Sequence, residues 1–272
     1  MKVKDHFLTQ ETFEITETTI PGVWKTQPVP ENLSRYYEST QYISHHQDSG
    51  SLQEKVYKFL QNFNLEYKKK ILSEQVKNGS TILDYGCGAG EFLKKNEGDF
   101  KLFGFEPNET ARSFAQKKIT SGRFILNLDE LEDSSLDAIT LWHVFEHIEN
   151  QQEILEIFHR KLSANGKLII AVPNPTSYDA KKYKEFWAAY DVPRHIFHFS
   201  KSGMLKLMNS DKWKIQKIKP LLLDAYYISA LSEKYKKSPF FWLKGMLYGT
   251  ISNFKASKNG EYSSLIYIIE KK

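Results

Sequence analysis

Between Thr81 and Val172 the chain alternates short apolar or β-branched runs with stretches of helical character. The predicted strands are Thr81–Tyr85, Lys101–Phe105, Arg123–Leu126, Asp137–Leu141 and Lys167–Val172. Predicted helices run from a glycine turn to about Asn96, over Asn108–Lys118, and over about Gln151–Leu162. Strands that alternate with helices pair in parallel, because each crossover helix returns the chain to the same end of the sheet. The expected class is therefore α/β, with helices on both faces of a mostly parallel sheet. Residues 1–30 are rich in β-branched residues and prolines and read as a small β-rich segment. Residues 31–76 read as helical, in two pieces broken near Asp48-Ser49-Gly50. In the second piece, Leu52, Val56, Phe59, Leu60 and Phe63 recur at helical spacing. The main domain spans 77–272: after the alternating block come a helix at Lys201–Ser210, a strand at Trp213–Pro220, a helical insertion at 224–257 and a last strand at Ser263–Ile269.

Composition narrows the classes. The single cysteine, Cys87, excludes an intramolecular disulfide and any zinc site built from several cysteines. No apolar run approaches the ~20 residues that span a bilayer, so stable membrane insertion is not expected. The N-terminus lacks the apolar stretch of a signal peptide, and the expected location is cytoplasmic. A net charge of +5 comes largely from lysine runs such as Lys68-Lys69-Lys70, which read as solvated helix faces. No stripe of basic residues interleaved with aromatics argues for nucleic acid.

The chemistry concentrates at the end of the first strand of the block, Asp84-Tyr85-Gly86-Cys87-Gly88-Ala89-Gly90. Glycines let a backbone bend sharply and approach a ligand, and the following helix start offers free N–H groups. A dinucleotide site needs G-x-G-x-x-G, but Glu91 stands where its third glycine belongs. Glu106 ends the next strand, 20 residues after Gly86, where a carboxylate accepts hydrogen bonds from ribose hydroxyls.

A G-x-G-x-G turn with an acid two residues before it resembles the first motif of the class I S-adenosylmethionine-dependent methyltransferases. The resemblance runs from about Tyr36 to the end, and it implies that the helical stretch 31–76 lids the cofactor. It implies a Rossmann-like, seven-stranded sheet whose last strand is antiparallel and inserted between strands five and six. It also implies S-adenosyl-L-methionine as cofactor, bordered by Tyr42, Asp84, Gly86, Cys87, Gly88, Glu106, Pro107, Asn127, Leu128, Trp142 and His143. His143 opens the segment His143-Val144-Phe145-Glu146-His147, which follows strand four; in the family this place lines the methyl-transfer crevice. His143, Glu146 and His147 share a helical face. They read either as a divalent metal site, as in related quinone-biosynthesis enzymes, or as a structural pin; the pin is preferred and no metal is expected.

Tyr190 to Ser200 form a long loop that resembles a bacterial subgroup acting on small molecules, sugars and lipid precursors. There His195 is a candidate general base and Arg194 a hold for an anionic acceptor; both equally suit a loop tied to Asp191. Asn174-Pro175 follows strand five, so it is not the amino-methylase motif that follows strand four. Many subgroup members begin with a zinc ribbon; Thr18 and Pro21 stand at its second cysteine pair, which implies a metal-free relic. The expected function is methyl transfer to a small-molecule acceptor, with sugar or lipid-linked intermediates in view. The alternative is a non-catalytic cofactor-binding regulator or scaffold. A homodimer stays open.

Overall fold

The computed structural model describes residues 1–37, 52–208 and 211–272, with side chains from Leu60 onward in the middle stretch. Tyr42 and the predicted break at 48–50 lie outside the described residues. The chain opens with β1 (Lys2–Lys4), β2 (Thr12–Glu17) and β3 (Val23–Gln27), followed by a single 3-10 turn at Leu33–Tyr37. Helix α1 (Leu52–Ser73) leads into the alternating block: β4 (Thr81–Tyr85), α2 (Glu91–Asn96), β5 (Lys101–Phe105), α3 (Glu109–Lys118), β6 (Gly122–Ile125), β7 (Leu136–Trp142), α4 (Gln151–Lys161) and β8 (Leu162–Pro173). Beyond it lie α5 (Tyr178–Tyr183), β9 (Phe197–Phe199), α6 (Lys201–Met208), β10 (Trp213–Pro220), the helical hairpin α7 (Asp224–Tyr235) and α8 (Phe241–Asn259), and β11 (Ser264–Lys271).

Seven strands form the main sheet in the order β10-β11-β8-β7-β4-β5-β6. The pairs within the block are parallel, and β11 runs antiparallel to both β8 and β10. The central strands are apolar on both faces, as a sheet covered by helices on each side requires. Leu83, Ile139, Leu141, Ile170 and Ile269 pack into one cluster. Their alternates Ile82, Ala138, Ile169, Ala171 and Ile268 pack into another on the opposite face. The fifth strand of the block starts earlier than expected. Leu162 pairs Leu136 and Lys167 pairs Ala138, so residues 163–166, with the Asn165-Gly166 turn signal, bulge out of a continuous strand.

The N-terminal segment builds a second sheet, and it is completed from far along the chain. β1, β2 and β3 form antiparallel pairs, and β3 pairs β9, so Val23 lies opposite Phe199 and Lys25 opposite Phe197. At the turn expected to be a ribbon relic, Thr18 does the closing: its hydroxyl donates to the Val23 carbonyl at 3.0 Å. Beneath this sheet Val3, Phe13, Ile15, Tyr36, Trp187 and Tyr190 make a third apolar cluster.

Candidate active site

The glycine turn leaves β4 with Gly86, Gly88 and Gly90 at φ of 76°, 53° and 79°, the left-handed region that side chains disfavour. Two of these positions are crowded as well. A Cβ at Gly86 would lie 2.5 Å from Val144, and one at Gly90 would lie 2.8 Å from Ile119. Gly88 is different, since nothing comes within 4 Å of where its Cβ would stand. Open space over a strained glycine at the carboxyl end of a parallel strand is where a ligand backs onto the chain. Glu106 completes this edge. One carboxylate oxygen accepts from the Gly88 N–H at 2.9 Å and the other from the Asn108 N–H at 2.9 Å. Cys87 is buried, and burial pushes its thiol pKa up.

Asp84 lies beneath the turn, 2% exposed. Burial raises its carboxyl pKa to about 7, against the Thr140 hydroxyl, which donates to it at 2.7 Å, and the nearby Lys68 ammonium. Lys68 comes from α1 and lies 4.9 Å from the centre of the Trp142 ring. Burial lowers its pKa, opposed by Asp224 and Asp84. The lysine run is thus not simply a solvated face. Trp142 stacks edge-on against Phe92 at 5.1 Å, and its indole N–H finds no acceptor among the described residues. Of the remaining turn residues, Pro107 is exposed, and Asn127 spends its side chain on the Asp129 N–H at 3.0 Å while Leu128 packs into the core.

Immediately after β7, His143 adopts a φ of 59° and its ring lies between two carboxylates. Nε2 is 2.9 Å from Asp224 at the start of α7, and Nδ1 is 3.4 Å from the fully buried Glu146. Burial disfavours the charged ring, but Asp224 and Glu146 together outweigh it and lift its pKa to about 9. His143 is therefore an imidazolium at neutral pH, linking the strand end to the helical hairpin.

His195 and Arg194 lie deeper. The His195 Nδ1–H donates to the Ala189 carbonyl at 2.9 Å, and burial, with His147 nearby, lowers its pKa to about 4. It is neutral and a weak base in this state. The Arg194 guanidinium, 1% exposed, donates to Asp5 at 2.8 Å, to Asp191 at 2.6 Å and to the Tyr36 carbonyl at 3.1 Å. Its contacts are those of a tie joining the N-terminal segment to the 190–200 loop, and they leave no donor group facing an open crevice. The His147 Nδ1–H donates to the Arg194 carbonyl at 2.8 Å. Among the described residues, Glu146, His147 and His195 each offer one donor atom within 4.8 Å of the others, a group that could take a divalent cation. Asn174 is also structural: its amide donates to Glu261 at 2.8 Å and the Tyr262 carbonyl at 3.1 Å.

A depression of about 780 Å³ lies elsewhere, at the amino ends of β4, β5 and β6 around Thr81, Lys101 and Arg123. Ligands of open α/β sheets bind at the carboxyl ends, so the glycine turn and not this hollow is the candidate site.

Comparison with known proteins identifies the family. The family described as "Methyltransferase domain" matches residues 53–215, more than half of the chain. The chain belongs to the methyltransferase-domain family. Its fold is that of the S-adenosylmethionine-dependent methyltransferases. The uncharacterized protein MJ1252 of Methanocaldococcus jannaschii is 26% identical over 176 residues, 61% of this chain and 66% of that one. The thiol S-methyltransferase TMT1B of Rattus norvegicus is 28% identical over 120 residues, 38% of this chain and 49% of that one. The match thus spans about two thirds of the first relative's length and about half of the second's. Among solved structures, the geranyl diphosphate C-methyltransferase of Streptomyces coelicolor superposes with a TM-score of 0.58 at 13% identity, covering 86% of this chain and 85% of that one.

Two residues of the candidate site escaped sequence reasoning. Asp224 opens an insertion that carried no motif, and Lys68 stood in a run with the pattern of surface charge. The one available signal was the acid at the hairpin's first position, in a stretch otherwise nearly free of acids.

Proposed function

We propose that this chain transfers the methyl group of S-adenosylmethionine to a small-molecule acceptor lying between the end of β7, the 173–200 segment and the α7–α8 hairpin. The observation that carries the reading is Glu106 facing Gly88 across an open turn, while Asp224 closes on His143 beside it. Glu106 would hold the ribose hydroxyls, the backbone at Gly86 and Gly88 would pack against the cofactor, and Asp84, Lys68 and Trp142 would border it. The cofactor, when bound, supplies a methyl group already activated on a sulfonium sulfur. What remains for the protein is alignment and exclusion of water. With His143 charged and His195 weakly basic, the site suits an acceptor that arrives as a ready nucleophile.

A thiol S-methyltransferase and a geranyl diphosphate C-methyltransferase among the similar proteins support a small acceptor, with sugar or lipid-linked molecules in view. A cytoplasmic location belongs to the same reading. Among the described residues no helix is long and apolar enough to cross a membrane. Incubation with methyl-labelled cofactor and fractionated small-molecule extracts should transfer label, and Glu106→Ala should cut that transfer by about tenfold or more. Cofactor binding without transfer to any pool would favour a binding-only protein. Transfer to RNA or protein alone would overturn the small-molecule acceptor.

A further inference from the structure

Helix α8 is packed inside out. Gly245, Gly249, Ser252 and Ala256, spaced four, three and four apart, form its buried face. A Cβ at Gly245 would lie 2.5 Å from the Ala230 backbone, and one at Gly249 would lie 2.6 Å from Tyr226, so these small residues let α7 and α8 touch closely. The opposite face carries large apolar side chains. Leu243, Leu247 and Phe254 are 49%, 55% and 63% exposed, and Met246 beside them is 55% exposed. The hairpin tip adds Phe240, Phe241 and Trp242, all exposed. Burying large residues inward and small polar ones outward is the ordinary arrangement of a surface helix. Here the order is reversed, and a contiguous exposed apolar ridge marks an interaction surface.

The charges around the ridge select its partner. Between residues 225 and 258 the charged side chains are six lysines (Lys234, Lys236, Lys237, Lys244, Lys255 and Lys258) and one acid, Glu233. Glu233 is buried, so the charge this hairpin presents outward is positive. Four of the lysines flank the aromatic tip in sequence, and the Lys258 ammonium lies 5.0 Å from the Phe254 ring. A ridge of Trp, Phe and Leu rimmed by flexible lysines suits the boundary between acyl chains and anionic headgroups, where apolar side chains enter and lysines reach back to phosphate.

We propose that the α7–α8 hairpin docks this protein on the surface of an anionic lipid bilayer, α8 lying in the interface with Leu243, Met246, Leu247 and Phe254 facing the acyl chains. Helix α8 lies on the membrane and does not cross it. The hairpin is anchored at its base by Asp224 on His143, and the 12 residues of α7 place the tip about 18 Å from that point. Docking would therefore bring the mouth of the site near the lipid phase. This inference stands on the hairpin alone and does not depend on the methyl-transfer reading.

The test is co-sedimentation of the full chain with vesicles of phosphatidylcholine containing about one third phosphatidylglycerol, beside vesicles of phosphatidylcholine alone. The wild type should partition to the anionic vesicles and be released by high salt. The exposed double variant Leu243→Glu/Leu247→Glu should bind at least tenfold more weakly. Lys234→Gln/Lys236→Gln/Lys237→Gln should lose roughly fivefold per lysine. Unchanged circular dichroism and S-adenosylhomocysteine affinity in these variants would separate failed docking from a failed fold or cofactor site. The proposal is overturned if the wild type ignores anionic vesicles, or if the double variant binds them equally well. It is also overturned if the wild type sediments as a dimer that Leu243→Glu/Leu247→Glu splits, since the ridge would then belong to a second copy.

Discussion

Single residues in this protein take their roles from what surrounds them, and two changes of role are informative. Arg194 has the sequence context of an anion-binding residue, yet it is held by Asp5, Asp191 and the Tyr36 carbonyl in a nearly dry environment. Removing one member of a buried ion pair strands its partners, so Arg194→Ala should destabilise the fold by about 3–5 kcal/mol. Arg194→Lys should recover little, because an ammonium cannot reproduce the guanidinium fork. Thermal unfolding of both variants checks this; an unchanged melting temperature with lost activity would instead return Arg194 to the acceptor. His143 makes the second case. Its pKa is raised from 6.5 to about 9, so the stability it gains from Asp224 and Glu146 is fully present below pH 6.5 and is lost as pH rises through about 9. The stability gap between wild type and Asp224→Asn should therefore be widest at or below neutral pH and close above pH 9. A gap that stays constant across that range would show that His143 is not the charged partner.

At the level of elements, legibility followed periodicity. The β4 to β8 block was readable because each strand is a short apolar run bounded by turn residues, and parallel pairing follows from the alternation. The capture of β9 by the N-terminal sheet was not readable, since three residues, Phe197–Phe199, carry no period and their partners lie far back in the chain. Nor was the hairpin's orientation. Helical spacing is the same whether a stripe of glycine or a stripe of leucine faces inward, and only the approach of α7 to Gly245 and Gly249 decides it. Gly249→Val should therefore overpack the hairpin and destabilise it by roughly 1–3 kcal/mol. A fall in the urea midpoint, with faster hydrogen exchange confined to Asp224–Asn259, would register it. A neutral effect would mean that the two helices are not in contact there.

Across the whole molecule, the site is assembled from parts that sequence order keeps apart. The turn after β4 and the acid after β5 were legible as a pair, because the topology of a parallel sheet brings neighbouring strand ends together. Lys68 from α1 and Asp224 from α7 join them only through packing, and no local pattern announces that. The proposed cofactor site is the open space over Gly88 and the carboxylate that faces it. Calorimetric titration of S-adenosylhomocysteine into wild type, Glu106→Ala and Gly88→Val tests it most directly. The prediction is clear binding by the wild type, a loss of about 2 kcal/mol or more, roughly thirtyfold, for Glu106→Ala, and a comparable or larger loss for Gly88→Val. Equal affinity in all three folded proteins would contradict the assignment of this turn as the cofactor site.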